Sequence, residues 1–160
     1  MNEIERLQDN LLLIRRAAGW TAEELGDRIG VTRQTINNLE AKRNKLNKTQ
    51  YIAIRAVLDA EMAASPDDTE MLKYLLDVFI DNPDKYETKD REELLAKANM
   101  LTPSILAGTT SRAAVSKELV GAAGALGMAA ALMAVPVIGP GLAIAGRTSA
   151  WLLKALKNKK

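Results

Sequence analysis

The sequence contains no cysteine and no histidine among its 160 residues. A zinc site or a histidine-dependent catalytic triad would lack its usual side chains, and disulfides are excluded. Aromatic residues make up only 4% of the chain and charged residues 26%. This composition is typical of a folded, largely helical protein in a reducing, cytoplasmic setting. We therefore expect no metal site, no catalytic residues and no cofactor.

The net charge of +2 conceals three zones along the chain. Residues 1–60 have 10 basic and 8 acidic side chains, residues 61–100 have 5 and 11, and residues 101–160 have 7 and 1. A mildly basic segment therefore precedes an acidic segment and a basic, apolar one. Such asymmetry predicts separate segments with separate roles.

Apolar residues in the first segment recur at steps of three and four, which predicts one amphipathic helix over Ile4–Ala17. Gly19 suits the end of this helix, because glycine adopts the left-handed conformation at low cost. Thr21 and Glu24 have the spacing of a capping box, so a second helix is predicted over Ala22–Ile29.

A tight turn is predicted at Gly30 and Val31, and Thr32 caps a further helix whose inward side includes Ile36. Gly26 stands where the two helices must approach each other closely. Two short helices joined in this way form a helix-turn-helix, whose second helix enters the major groove of DNA.

The outer face of this second helix is rich in amide and guanidinium groups: Arg33, Gln34, Thr35, Asn37 and Asn38. Arginine makes paired hydrogen bonds to guanine, and glutamine or asparagine makes them to adenine. A merely solvated face would more often carry Glu and Lys, which favour helix more strongly. We therefore predict base contacts by Arg33, Gln34, Asn37 and Asn38.

Four basic residues follow within seven positions: Lys42, Arg43, Lys45 and Lys48. A loop that leaves a recognition helix lies near the phosphate backbone, where lysine and arginine add salt-sensitive affinity that is independent of sequence. We predict phosphate contacts by Lys42, Arg43 and Lys45. A further helix, Thr49–Ala60, completes a DNA-binding domain predicted over residues 1–62.

A specific combination of residues supports a family resemblance: Arg15, Gly19, Thr21, Glu24-Leu25, Gly30–Ile36, Leu39 and Glu40. Residues 11–58 resemble the Cro and phage-repressor (Xre-type) helix-turn-helix family. The resemblance implies a compact bundle of four or five helices and an ion pair between Arg15 and Glu40. The sequence departs from the family at Lys42, where glycine is frequent. The recognition helix is therefore expected to run on slightly or to end in a different turn.

The resemblance also implies DNA contacts. The base-contacting positions of the family correspond to Arg33, Gln34 and Asn37, with Asn38 beside them. The N-terminal residues of the family's two DNA-facing helices contact phosphate, and they correspond to Thr21 and Thr32.

Residues 63–112 form an acidic helical middle segment. Helices are predicted over Thr69–Asp81 and Asp90–Asn99, with a break at Pro83. Pro103 is expected to mark the end of the second helix or the start of another. The carboxylates are scattered over predicted loops and exposed faces, which indicates solvated surface and not a metal or acid–base site.

Residues 113–160 form an Ala/Gly-rich segment with a basic end, and the run from Leu119 to Gly146 has no charge. Prolines and glycines predict a turn in a helical hairpin with arms Ala113–Ala134 and Leu142–Lys157. Residues 120–146 resemble the glycine-zipper segments of membrane-active proteins.

Three interpretations of this hairpin stay open. It packs against the middle segment or another subunit, it builds an oligomer through glycine-lined helices, or it lies at the inner face of a membrane through residues 119–157. Basic residues at both ends favour the cytoplasmic side for each end. Arg147 would lie deep in the hydrocarbon, so a membrane form would keep the second arm at the interface, with Trp151 at headgroup level.

Together these features predict an all-α, non-enzymatic protein with a helix-turn-helix bundle, additional helices and a C-terminal hairpin. We expect a sequence-specific, repressor-like transcriptional regulator that binds double-stranded DNA. It would act as a homodimer or larger homo-oligomer associated through its C-terminal helices. The alternative is a membrane-associated or oligomer-forming interaction protein whose helix-turn-helix is autoregulatory or a docking module.

Overall fold

The computed structural model describes residues 1–109, 111–125 and 150–157. All regular elements in these ranges are helical, which confirms the all-α fold class. A π-helical turn, Asp77–Asp81, continues the sixth helix, and a 3-10 turn, Pro83–Lys85, leads to the seventh. The α-helices are α1 (Glu3–Asp9), α2 (Leu11–Ala17), α3 (Ala22–Ile29), α4 (Arg33–Glu40), α5 (Lys48–Ala64), α6 (Glu70–Leu76), α7 (Thr88–Leu106), α8 (Arg112–Ala125) and α9 (Ala150–Lys157).

The prediction of one helix over Ile4–Ala17 is wrong, because the structure divides it at Asn10 into α1 and α2. The backbone of Asn10 leaves the helical region, with φ −109° and ψ 9°. Its side-chain amide donates to the carbonyl oxygen of Arg6 over 2.9 Å. Asparagine competes in this way with regular helical bonding. The apolar spacing still serves the core, since Leu7 and Leu11 are buried on either side of the break.

The middle segment is more helical than the sequence predicts. α6 and its π-helical continuation cover the predicted helix over Thr69–Asp81. α7, however, extends beyond Asp90–Asn99 and runs through Pro103, which marks neither an end nor a start. Proline lacks a backbone N–H, so α7 lacks the helical bond from position 103 to the Asn99 carbonyl. Its ring is exposed, and its carbonyl accepts a bond of 3.0 Å from the Ala107 amide.

One hydrophobic core runs through the predicted segments. Its buried apolar side chains extend from Leu7 in α1 to Ala155 in α9. Leu72, Leu75 and Val78 of the middle segment are each 0% exposed. Because α6 contacts both α2 and α8, the acidic segment contributes its apolar side to the same core as the N-terminal helices.

A partly buried ion pair links α5 to the middle segment. The guanidinium of Arg55 donates two hydrogen bonds to the Asp81 carboxylate, of 2.8 Å and 3.0 Å. The Arg55 side chain is only 3% exposed. Burial raises the pKa of the Asp81 carboxyl, although the hydrogen bonds from Arg55 act in the opposite direction. Removing Asp81 would leave the buried Arg55 guanidinium without the carboxylate that balances its charge.

Arg112, the first residue of α8, forms a second link to the N-terminal helices. Its Nη1 donates to the Ala18 carbonyl over 3.1 Å and to Glu61 Oε1 over 2.7 Å. Its Nη2 lies 3.7 Å from the Asp68 carboxylate. One side chain therefore joins α8 to the C-terminal ends of α2 and α5.

The C-terminal helix α9 lies against α5. The indole of Trp151 meets the ring of Tyr51 edge-on, with centroids 5.9 Å apart. Its Nε1 donates to Asp59 Oδ2 over 2.7 Å, and Lys154 pairs with Glu3 of α1. Burial raises the pKa of Tyr51 to about 12, so its phenol is neutral at physiological pH. The membrane interpretation assigned the Trp151 side chain to headgroup level. In the structure this side chain contacts other protein groups instead.

The described residues include only the two outer parts of the predicted hairpin. α8 covers the beginning of its first arm and α9 the end of its second. The Pro/Gly turn, Arg147 and the glycine-zipper segment from residue 126 onward lie outside the described residues. Within the described ranges, no helix combines the length and the apolar character that a bilayer crossing needs.

Candidate nucleic-acid interface

The first helix of the motif, α3, begins with the predicted capping box. Thr21 Oγ1 accepts the Glu24 amide over 3.1 Å, and Glu24 Oε2 accepts the Thr21 amide over 2.7 Å. Gly30 ends the helix in the left-handed conformation, with φ +77°. These local signals fix both ends of α3, and they bring the Thr21 hydroxyl to its exposed N-terminus.

Close packing of α3 against α4 depends on Gly26. A Cβ atom at Gly26 would lie 2.6 Å from the carbonyl oxygen of Val31, which is a backbone atom of the turn. No larger residue fits there without moving one helix from the other. The angle between the two helices of the motif is therefore set by the absence of a side chain.

The second helix, α4, is the predicted recognition helix. Thr32 Oγ1 caps it by accepting the Thr35 amide over 3.2 Å. Ile36 and Leu39 are buried at 0% and 1% exposure, which fixes the rotation of the helix about its axis. The opposite side is then directed to solvent.

The four predicted base-contacting residues share this outward side of α4. Arg33 and Gln34 are exposed, and Asn37 and Asn38 are half-buried one turn later. Gln34 Nε2 donates to Asn38 Oδ1 over 3.2 Å. The side therefore presents one guanidinium and three amides, the groups that recognise purine edges in the major groove.

The ion pair that the resemblance implies is present. Arg15 donates to both carboxylate oxygens of Glu40, over 2.5 Å and 3.1 Å. Its Nη1 donates to the carbonyl of Trp20 over 2.8 Å. Both side chains are largely buried, at 7% and 10% exposure. A paired, planar contact of this kind is geometrically specific, and here it links α2, the start of α3 and the end of α4.

The loop after α4 contains Lys42, at the position where glycine is frequent in the family. α4 does not run on, because it ends at Glu40. Lys42 instead adopts the left-handed conformation that glycine favours, with φ +57°. A side chain there costs about 1 kcal/mol. Lys42, Arg43 and Lys45 are all exposed, and Lys42 Nζ lies 2.6 Å from Asp9 Oδ1.

Gln8 is a residue near this loop that the sequence did not indicate. Its side chain, on α1, bonds three main-chain groups between Leu39 and Leu46. A lone glutamine on a helix has no sequence signal for such a role, because its partners are backbone atoms brought near by folding.

The rest of the described chain offers few other groups that could form a binding or catalytic site. Among the described residues, no group of three or more side chains could hold a metal ion. Among the described residues, α4 and the following loop combine exposure, hydrogen-bonding groups and positive charge.

Comparison with known proteins agrees with this geometry. The profile of a family described as Helix-turn-helix matches residues 11–63. The antitoxin HipB of Escherichia coli (strain K12) is 32% identical over 71 residues, which cover 41% of this chain and 81% of HipB. The chain belongs to the Xre-type helix-turn-helix family. No solved structure matches it.

Membership confirms the predicted resemblance over residues 11–58 and makes this Xre-type protein a DNA-binding regulator. The profile begins at residue 11, the first residue of α2, and ends at residue 63 within α5. α1 and the helices from α6 onward therefore lie outside the part that the family defines.

Proposed function

We propose that this Xre-type protein is a sequence-specific transcriptional repressor that binds operator DNA with the outward side of α4. The observation that supports this most is the shared orientation of Arg33, Gln34, Asn37 and Asn38 on a helix whose rotation is fixed by its buried residues. An Arg15–Glu40 pair and a glycine contact hold that helix against its neighbours.

The proposed base contacts follow from the chemistry of these groups. Arg33 offers two parallel donors for O6 and N7 of guanine, and the amides offer a donor and an acceptor for adenine. Because Gln34 and Asn38 are already bonded to each other, fewer side-chain rotamers are lost when α4 enters the groove.

The proposed phosphate contacts lie on two sides of this helix. Thr21 and Thr32 stand at the N-termini of α3 and α4, where the helix dipole favours anions. Lys42, Arg43 and Lys45 extend from the loop after α4. These five residues would position the protein on the duplex, while α4 supplies base preference.

Selection from a random pool of duplex DNA tests the repressor proposal. The purified chain should enrich a sequence made of two related half-sites spaced by about 34 Å, one helical turn. A reporter downstream of that sequence should be turned down by the protein in cells. Failure to enrich any sequence at physiological salt, with the protein folded, would contradict sequence-specific binding.

We also propose that the C-terminal helices associate copies of the chain in the cytoplasm. Leu153 and Leu156 of α9 remain 48% and 58% exposed, which supports an apolar contact with another molecule. The mass of the purified chain without detergent tests this proposal, and a homodimer or larger species is expected. Flotation with anionic liposomes, compared with a chain that ends at Ser111, tests the alternative of a membrane surface.

A second candidate function is that of an antitoxin. The observation that favours it is the similarity to the antitoxin HipB, which extends over 81% of that protein. In this case the chain would bind DNA and also neutralise a toxic protein. Deletion of its gene should then impair growth, and suppressor mutations should map to a toxin gene. Normal growth of the deletion strain would argue against this candidate.

A further inference from the structure

Gln8 of α1 uses its whole side-chain amide on the loop that follows the recognition helix. Its Nε2 donates to the carbonyl oxygens of Leu39, over 3.0 Å, and Asn44, over 2.6 Å. Its Oε1 accepts the Leu46 amide over 3.0 Å. Both donors and the acceptor of one side chain therefore bridge the beginning and the end of the loop, although α1 lies outside the family match.

The sequence of the loop does not itself favour the shape that the loop adopts. Residues 41–47 include no glycine, yet Lys42 has a φ of +57°. Local backbone bonds at the end of α4 hold this conformation, because the Lys42 amide donates to the Leu39 carbonyl over 3.1 Å. Leu46 is buried at 6% exposure, and the Arg43 amide bonds the Asn38 carbonyl over 2.9 Å. Gln8 adds a bond to Leu39, and its bonds to Asn44 and Leu46 hold the second half of the loop.

We propose that Gln8 is a positioning residue for phosphate binding. Its amide holds the loop so that Lys42, Arg43 and Lys45 reach the DNA backbone together. A mobile loop would have to be ordered at the moment of binding, and that entropy would reduce affinity. This inference rests on the proposed phosphate contacts for its functional consequence, and on the hydrogen bonds alone for its structural one.

A double-mutant cycle on the full chain tests the inference. Gln8→Leu is made in the natural sequence and in a triple variant that combines Lys42→Ala, Arg43→Ala and Lys45→Ala. Affinity for the selected operator and for random duplex DNA is measured over a range of salt.

In the natural sequence, Gln8→Leu should weaken binding to both DNAs by about tenfold and reduce the slope of log K against log salt by about 1. Base preference should be unchanged. In the triple variant, Gln8→Leu should have no further effect, because the cations that it positions are gone. An equal loss in both backgrounds would assign Gln8 a general role in folding and overturn the inference.

The two possible failures are distinguishable. If the triple variant binds DNA like the natural chain, the proposed phosphate contacts are wrong and the function of Gln8 is overturned with them. If the triple variant loses affinity and Gln8→Leu does not, only the inference about Gln8 is overturned.

Amide hydrogen exchange tests the structural part without DNA. Gln8→Leu should accelerate exchange of the Leu46 amide by about tenfold or more, as expected for loss of a protecting hydrogen bond. Exchange of the Ile54 amide, within α5, should be unchanged and serves as the internal control. Unchanged protection of Leu46 would show that Gln8 does not hold the loop.

Discussion

The helix-turn-helix region, residues 11–63, and the extension from residue 64 onward differ in how they are held in place. In the first region the contacts that shape the helix-turn-helix are local or belong to the family motif, as does the pair between Arg15 and Glu40, which are 25 positions apart. Thr21 caps α3, Gly30 ends it, and Arg15 pairs with Glu40.

The extension is joined to that region by the shared hydrophobic core and by polar contacts between residues that lie 26 to 92 positions apart. Asp81 pairs with Arg55, Arg112 bonds Glu61, and the indole of Trp151 bonds Asp59. Such contacts give no periodic or motif signal. The difference teaches that the extension shares a core with the DNA-binding region, although the sequence suggests a separate segment.

Breaking the Arg55–Asp81 pair is expected to give the largest loss of stability, and it tests whether the two regions share a core. Asp81→Ala should lower the free energy of unfolding by about 3 kcal/mol, because it leaves Arg55 buried and unpaired. Urea denaturation of the full chain measures this loss. Asp84→Ala, which removes an exposed carboxylate from the same segment, is the control and should change little. Equal stability of the two variants would mean that the pair does not couple the regions.

Arg112→Ala should have an intermediate effect on stability. It removes the bonds to Ala18 and Glu61 at a partly exposed site, so a loss of about 1–2 kcal/mol is expected. The control is Lys117→Ala, an exposed cation on the same helix. Thermal unfolding compares the two. Should Arg112→Ala match its control, α8 would be attached by apolar packing alone.

The smallest expected effect concerns the strained loop within the DNA-binding region. Lys42→Gly should stabilise the fold by about 0.5–1 kcal/mol relative to Lys42→Ala, because glycine adopts positive φ without a steric penalty. Both variants lose the same charge, so both should weaken binding to all DNA sequences and flatten the salt dependence. If Lys42→Ala proved as stable as Lys42→Gly, the strain at this position would be absent.

The local part of the interface was predictable from the sequence for physical reasons. A capping box, a C-terminal glycine and buried residues at helical spacing act within one or two turns of helix. They therefore indicate α3, the turn and the outward residues of α4 directly. The Arg15–Glu40 pair required the family resemblance, because its partners are far apart in sequence.

The remaining features depend on where the chain folds back. Asn10 breaks the first helix through its own side chain, whereas Pro103 lies within α7 without ending it. Neither outcome follows from residue type alone. Gln8 and Trp151 find backbone or carboxylate partners from other helices, so only the folded chain reveals their roles.

The effect of Arg33→Ala on base preference tests the central claim most directly. Affinities of the natural chain and the variant are measured at one salt concentration, for the selected operator and for random duplex DNA. Lys89→Ala, an exposed cation on α7, controls for net charge. We predict a loss of about 1–3 kcal/mol on the operator and relaxed preference at one base position. Equal losses on operator and random DNA would contradict base recognition by Arg33.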